Sequence, residues 1–167
     1  LEGGEKTHIC ASGMGAIASS LYTVLDPFDR IVCNKSCYGE AYELMTLLLS
    51  KMQIETDFVD FTDLDAVREA ITPATALLYT EVFSNPTLAM ADIEALAALA
   101  HENGALLMVD NTFTTPLTVK PLELGADLVV NSLTKFLNGH SDAIGGSITT
   151  TQALCDKIQP AAMLLGT

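Results

Sequence analysis

Basic residues are scarce in this chain. It has 8 Lys and Arg against 21 Asp and Glu among its 167 residues, which gives a formal net charge of −13 at pH 7. Nucleic acids and anionic membrane surfaces are bound through clustered Lys and Arg, so this balance argues against both as partners. One local site for a small anion remains compatible with an acidic protein.

Long hydrophobic runs are also missing. Hydrophobic residues make up 49% of the chain, yet no apolar run approaches the roughly 18 residues that a membrane span requires. The apolar runs are short and flanked by turn residues, as is typical of buried strands. A chain of this length can bury a sizeable core. The composition therefore predicts a single domain, residues 1–167, without a membrane partner.

Cysteine pairs at metal-binding or redox spacing are absent. Cys10, Cys33, Cys37 and Cys155 form no C-x-x-C motif, and no signal peptide precedes them. No His or Cys lies at zinc spacing from the middle two. The sequence therefore predicts reduced, mostly buried thiols, no metal site and a cytoplasmic location. The chain begins at Leu1 rather than at Met, which indicates a piece of a longer protein.

Short apolar runs alternate with amphipathic stretches along the chain. The apolar runs predict seven strands: Thr7–Ala11, Arg30–Asn34, Glu55–Asp60, Ala76–Val82, Leu106–Asn111, Leu128–Asn131 and Gly146–Thr150. The amphipathic stretches predict five helices: Met14–Val24, Glu40–Met52, Leu64–Ala70, Ile93–Asn103 and one that starts at Gln152. Asp92 is the expected cap of the fourth helix, and Gly104 its stop.

This alternation predicts an α/β fold, a three-layer α/β/α sandwich around a mainly parallel seven-stranded sheet. In such folds ligands bind beyond the carboxyl ends of the strands, so a binding site is expected in the loops that follow the strands.

A glycine-rich turn follows the first predicted strand. Ser12-Gly13-Met14-Gly15 leads into a helix, and the free amides at a helix start bind anions such as phosphate. The segment also fits the dinucleotide fingerprint G-x-G-x-x-A, which requires an acid at the end of the next strand. Asn34 and Lys35 stand there instead, which argues against a nicotinamide enzyme. Glycines that merely permit a tight turn are the alternative.

Three further strand ends carry an aromatic or polar side chain. Tyr38 can stack on a planar ligand or cover the edge of the core. Asn85 is held extended by Pro86, although turn chemistry explains this pair equally well. Asp110 can bind a metal or a ring nitrogen, or cap a helix. A metal would require more carboxylates close by, and none is evident at the other strand ends.

A lysine follows the sixth predicted strand. A buried lysine is costly unless its amine is used, and burial favours the neutral amine that condenses with carbonyl groups. Ser132 to Lys135 also fits S-x-x-K, but the S-D-N and K-T-G elements of serine acyl-transfer enzymes are absent. An ordinary surface lysine is the alternative. A phosphate site, an aromatic ring, an acid and a lysine at one sheet edge together fit pyridoxal 5′-phosphate (PLP).

Seven segments support a family resemblance: Leu1–Gly4, Ser12–Met14, Tyr38–Gly39, Asn85–Pro86, Val109–Thr112, Pro121–Asp127 and Ser132–Asp142. The last, S-x-T-K-[FY]-x-x-G-H-S-D, is highly specific. With these segments the chain resembles, from end to end, the PLP-dependent enzymes of cysteine and methionine metabolism. That family includes cystathionine γ-synthase, cystathionine γ- and β-lyase, methionine γ-lyase and O-acetylhomoserine sulfhydrylase. The resemblance implies the large domain of PLP-dependent transferase fold type I.

The resemblance also implies roles for single residues. Lys135 would link covalently to PLP, and Asp110 would keep the ring nitrogen protonated. Tyr38 would stack on the ring and assist proton transfer near the sulfur, and Asn85 would help to bind the substrate carboxylate. His140 would be structural.

The cofactor phosphate would be bound by the Gly13 and Met14 amides and by the Ser132 and Thr134 hydroxyls. The implied activity is transsulfuration, by γ-elimination or γ-replacement, as a C–S lyase or transferase of sulfur amino acids or activated homoserine. The implied assembly is a homo-oligomer, a dimer or homotetramer. A catalytically incomplete PLP-binding fragment, or a non-catalytic homologue with a binding role, is the alternative.

The chain departs from the family pattern at its ends. The N-terminal arm, whose Tyr and Arg reach a neighbouring subunit, and the C-terminal domain, with an Arg for the substrate carboxylate, are both absent. The 167 residues are therefore expected to fold as the cofactor domain and to turn over poorly. Glu40 stands where the resemblance places a cysteine in methionine γ-lyase, which argues mildly against that subfamily.

Overall fold

The sheet of the protein has seven strands, as the sequence predicts. The computed structural model describes residues 1–85 and 87–167. The strands are β1 (Lys6–Cys10), β2 (Arg30–Asn34), β3 (Glu55–Val59), β4 (Thr75–Glu81), β5 (Leu106–Asp110), β6 (Leu128–Ser132) and β7 (Gly146–Thr150). Every strand lies within one residue of its predicted bounds.

The strand order is β1-β7-β6-β5-β4-β2-β3. The strands from β6 to β3 are parallel, and β7 pairs antiparallel with both β6 and β1. The sheet is therefore mainly parallel, as predicted. Since β7 begins at the edge where β6 and β1 end, residues 11–14 meet the loops after β2, β4, β5 and β6 at one edge.

In the described residues five α-helices lie between strands and a sixth follows β7: α1 (Gly13–Val24), α2 (Gly39–Glu43), α3 (Leu64–Ala70), α4 (Ile93–Glu102), α5 (Thr115–Thr118) and α6 (Gln152–Leu165). The Asp92 carboxylate accepts from the Ala95 amide and caps α4, and Gly104 follows with φ +74°. Both end signals of this helix are confirmed. In the described part of the chain, no helix is long and apolar enough to cross a membrane.

The second helix differs from its prediction. The continuous helix expected over Glu40–Met52 is a composite: α2 runs into a π-helix at Leu44–Leu48 and a 3-10 turn at Leu49–Met52. The Thr46 hydroxyl donates to the Tyr42 carbonyl and the Ser50 hydroxyl to the Thr46 carbonyl. Hydroxyls that bond to the carbonyl four residues earlier loosen and bend helices, which accounts for the irregular ladder.

The core has two halves, one on each face of the sheet. Ile31 and Cys33 of β2 face the half that contains α1, α2 and α6, whereas Val32 between them faces the half that contains α3 and α4. This alternation follows the two-residue period of a strand. The predicted three-layer sandwich is confirmed.

Candidate active site

A cavity of about 220 Å³ lies at the carboxyl edge of the sheet. All eight residues predicted for the site line it: Gly13, Met14, Tyr38, Asn85, Asp110, Ser132, Thr134 and Lys135. The structure thus brings together side chains that are up to 122 positions apart in the sequence, 135 minus 13.

The glycine turn forms one wall of the cavity. The Ser12 hydroxyl accepts from the Gly15 amide at 3.0 Å and caps α1, and the other first-turn amides of a helix have no intrahelical partner. A Cβ on Gly13 would lie 2.7 Å from the Ser132 Cβ, and one on Gly146 would clash with the Ser12 carbonyl oxygen. Because both glycines permit this close approach, the start of α1 lies against the end of β6. Such a cradle fits a phosphate.

The two hydroxyls predicted to bind phosphate differ in their surroundings. The Ser132 amide donates to the Thr112 hydroxyl at 2.8 Å, which connects the ends of β6 and β5. The Thr134 hydroxyl accepts from the Gly145 amide at 3.1 Å and donates to the Gly145 carbonyl at 3.3 Å. The Thr134 hydroxyl therefore closes the loop between β6 and β7 in this structure.

Asp110 is the last residue of β5 and lines the cavity. Its Oδ1 accepts from the Thr112 amide at 2.9 Å. Burial raises the pKa of the Asp110 carboxyl, while the hydrogen bonds from Thr112 partly oppose the shift. A cation placed beside Asp110 would favour its ionised form, so the residue fits a protonated ring nitrogen.

A second carboxylate, not predicted from the sequence, lies at this edge. Glu81 is the last residue of β4, and the register of the sheet pairs it with Asp110. The expectation that no other strand end carries a carboxylate is therefore wrong. The predicted fourth strand extended to Val82, which placed Glu81 inside the strand instead of at its end. An acid closing an apolar strand, the signal that identified Asp110, was present here too.

Glu81 is buried, with 7% of its surface exposed. Its Oε1 accepts from the Tyr38 amide at 2.6 Å, and its Oε2 accepts from the Asn85 amide at 3.1 Å. Burial and the neighbouring Asp110 charge raise the pKa of Glu81 to about 7, although the two amide bonds favour its ionised form.

Tyr38 is half-buried and lies in the loop after β2, immediately before α2. Burial raises the pKa of its phenol, and so do the nearby Glu40 and Asp110 carboxylates. Because this pKa is raised from an already high value, the Tyr38 hydroxyl keeps its proton at neutral pH. It is a potential proton donor to a group in the cavity.

Lys135 is exposed rather than buried, so the surface position that the sequence left open is the one observed. The reason is that β6 ends at Ser132 and a turn carries the lysine past the buried part of the sheet. The Lys135 amide donates to the Ser132 carbonyl at 3.1 Å, and the side chain lines the open side of the cavity. His140 in the same loop is exposed, and its ring lies 2.8 Å from the Asn138 carbonyl.

Neither alternative chemistry gains support from the geometry. Asn34 at the end of β2 is buried, and its side-chain amide donates to the Thr80 and Ser84 hydroxyls. Asn34 therefore lacks the carboxylate that binds the ribose hydroxyl in a dinucleotide site. Ser132 closes a strand, whereas the S-x-x-K serine begins a helix. The four cysteines are free thiols, and Cys37 is the one that is only partly buried.

The chain matches the family of Cys/Met metabolism PLP-dependent enzymes over residues 1–167. It is 48% identical over 160 residues to an L-methionine gamma-lyase of Fusobacterium nucleatum subsp. polymorphum, which covers 95% of this chain and 40% of that protein. It is 44% identical over 146 residues to the cystathionine beta-lyase MetC of Bacillus subtilis (strain 168), with coverages of 87% and 37%. A canavanine gamma-lyase of Pseudomonas canavaninivorans is 43% identical over 165 residues, with coverages of 98% and 41%.

The fold is also found in solved structures. The crystal structure of metB from Corynebacterium glutamicum superposes with a TM-score of 0.96 at 36% identity, covering 99% of this chain and 43% of that one. The chain thus spans about 40% of the length of the curated relatives named above. Because the match extends over the whole chain, the protein belongs to the Cys/Met metabolism family of PLP-dependent enzymes, and its cofactor is PLP.

Proposed function

We propose that the protein cleaves or forms C–S bonds of sulfur amino acids or activated homoserine, with γ-elimination or γ-replacement as its reaction. The observation that carries this proposal is the convergence of Lys135, Asp110 and Tyr38 on one cavity beside the Gly13 cradle. Bound PLP supplies an aldehyde that condenses with amines and a ring that accepts electrons from the substrate Cα. The residues of the chain supply binding, orientation and proton transfer.

Each residue has a distinct proposed task. The start of α1, at Gly13 and Met14, binds the phosphate through backbone amides, with the Ser132 hydroxyl beside them. Asp110 holds a proton on the ring nitrogen. The amine of Lys135 reaches the cavity from its open side, where it removes and returns protons at the substrate carbon atoms.

Two further residues of the cavity act on the substrate. Tyr38 keeps its phenolic proton at neutral pH and donates it toward the departing sulfur. Asn85 is exposed at the rim, and its side-chain amide donates to the substrate carboxylate. A small amino acid is the substrate class that this set accommodates.

Within this reaction class a lyase activity is the first to test, because the curated relatives named above are gamma- and beta-lyases. Glu40 stands where the resemblance places a cysteine in methionine γ-lyase, so cystathionine is tested beside methionine. We further propose that residues 1–167 form the PLP-binding large domain of a homotetrameric protein. The N-terminal arm and the C-terminal domain of such a protein would lie outside this sequence.

The test begins with the cofactor. The chain mixed with PLP is expected to show the visible absorbance of PLP bound covalently through a C=N bond to Lys135. Borohydride reduction is expected to remove this absorbance, and Lys135→Ala to abolish it. Lys120→Ala changes a lysine outside the cavity, which pairs with Glu123, and is expected to keep the band. Absence of the band from the unmodified chain would refute the cofactor site.

The activity is tested with the full-length protein. It is incubated with cystathionine, with methionine, and with O-acetylhomoserine plus sulfide, and the products are identified. Release of a thiol, ammonia and a keto acid is expected from the first two substrates. The 167-residue chain alone is expected to bind PLP and to turn over poorly. Fast turnover by this chain would contradict its assignment as an incomplete domain.

A further inference from the structure

Glu81 bridges two loops that carry site residues. Its Oε1 accepts from the amide of Tyr38 at 2.6 Å, in the loop after β2. Its Oε2 accepts from the amide of Asn85 at 3.1 Å, in the loop after β4. One buried carboxylate therefore uses both of its oxygens to fix the backbone beneath two side chains of the cavity.

The surroundings of Glu81 disfavour a negative charge on its carboxylate. The titratable groups that face it are Cys33 of β2, Cys37 in the following loop, Tyr79 of β4 and Asp110 of β5. All of them are neutral or negative. No Lys or Arg forms an ion pair with Glu81 in the described part of the chain.

A neutral side chain at this position would avoid the cost of a buried charge. The glutamate instead provides two acceptors at the spacing of the two amides, and amide bonds to an ionised acceptor are the stronger kind. The two amide bonds therefore favour the ionised form, whereas burial and the Asp110 charge outweigh them and raise the pKa of Glu81 to about 7.

We infer that Glu81 is a positioning residue, whose carboxylate sets where the Tyr38 phenol and the Asn85 amide stand relative to Asp110. The Glu81 carboxylate does not contact the substrate in this role. It acts through the two backbone amides that it accepts from. The inference rests on the proposed function only for the identity of the ligand, since the hydrogen bonds are present in the chain itself.

The inference has a readout that needs neither cofactor nor turnover. In the 167-residue chain, the amide proton resonances of Tyr38 and Asn85 are expected to titrate together, with a midpoint near pH 7. Glu81→Gln is expected to remove this titration. Lys120→Ala, a change at a partly exposed lysine outside the cavity, is expected to leave it. If Glu81→Gln leaves the amide resonances of both Tyr38 and Asn85 unchanged, the bridge does not exist in solution.

The second readout is catalytic and uses the full-length protein with PLP. Glu81→Gln is expected to keep the PLP absorbance, because Lys135 and the Gly13 cradle are untouched, and to lower kcat about tenfold to a hundredfold through misplacement. It is also expected to remove the ionisation near pH 7 from the dependence of kcat/KM on pH. Lys120→Ala, at a partly exposed lysine outside the cavity, is expected to change kcat by less than about twofold.

The outcomes separate the two proposals. If the unmodified protein shows no PLP absorbance band, the proposed function is wrong. The amide resonances still test the role of Glu81 in that case. An unchanged kcat and pH profile in Glu81→Gln overturns the positioning role. Should that variant not fold, Glu81→Asp serves, because it keeps the charge but is one methylene too short to reach both amides, and the same loss of activity is expected.

Discussion

Gly13 shows how much depends on a single missing side chain. It is the first residue of α1, and a Cβ there would lie 2.7 Å from the Cβ and 3.0 Å from the Cα of Ser132. The backbone of β6 cannot yield without moving the loop that carries Lys135. The contact between α1 and β6 therefore requires glycine at this position.

The Gly13→Ala variant is accordingly expected to lose about 1–3 kcal/mol of unfolding free energy and to bind PLP about tenfold more weakly. Chemical denaturation and titration with PLP measure the two effects. Gly39 is the matched control, because it also opens a helix and nothing lies within 4 Å of its missing Cβ. Equal losses in Gly13→Ala and Gly39→Ala would show that the contact with Ser132 is unimportant.

Lys135 and Glu81 mark the limit of residue-level prediction. The motif around Lys135 identified its place in the cavity, yet its exposure depends on where β6 ends and the turn begins. In the sequence, Glu81 is a single acid that follows a mostly apolar run. Its importance comes from the amides of Tyr38 and Asn85, which tertiary folding brings to it.

Helix α4 is the element whose ends the sequence predicts best. The Asp92 carboxylate accepts from the Ala95 amide at 3.1 Å. Asp92→Ala is expected to lower the unfolding free energy by about 1 kcal/mol, because an amide of the first turn loses its partner. Glu94→Ala, at an exposed position two residues further in the same first turn, is expected to cost less than about 0.5 kcal/mol. Denaturant titration of both variants checks this, and a cap that costs no more than Glu94→Ala would contradict it.

The elements differ in how far they could be predicted. The strands follow from apolar runs bounded by turn residues, which are local features, and all seven were predicted within a residue. The segment Glu40–Met52 has the same apolar content as a regular helix. Its change to π and 3-10 geometry accompanies hydroxyl bonds from Thr46 and Ser50, which a hydrophobic pattern does not report.

For the whole molecule, pH dependence follows from the burial of Glu81. Its pKa is raised from 4.5 to about 7 in the folded chain, so the folded state holds the proton more tightly than the unfolded state. The stabilisation is complete below about pH 4.5 and is lost as the pH rises through 7, an effect on the order of 3 kcal/mol. Unfolding free energies of the unmodified chain and of Glu81→Gln between pH 4.5 and 8 measure it.

The difference in unfolding free energy between the unmodified chain and Glu81→Gln separates the contribution of Glu81 from that of the other acids. The unmodified chain is expected to lose stability relative to Glu81→Gln as the pH rises over this range. Parallel curves would show that Glu81 has an ordinary pKa in solution. Asp60 is no contributor here, since its Thr62 and Lys35 partners hold its pKa at about 2.

The order of strands and helices along the chain, the family and eight residues of the cavity follow from the sequence alone, because apolar periodicity, turn chemistry and a motif are local. Which groups meet depends on the tertiary fold. It placed Glu81 beside Asp110 through the β4–β5 register, and it brought the buried Glu2 against the amides of Asn111 and Asn131. Such contacts depend on register and burial, which arise when distant segments pack together and which no short stretch of sequence contains.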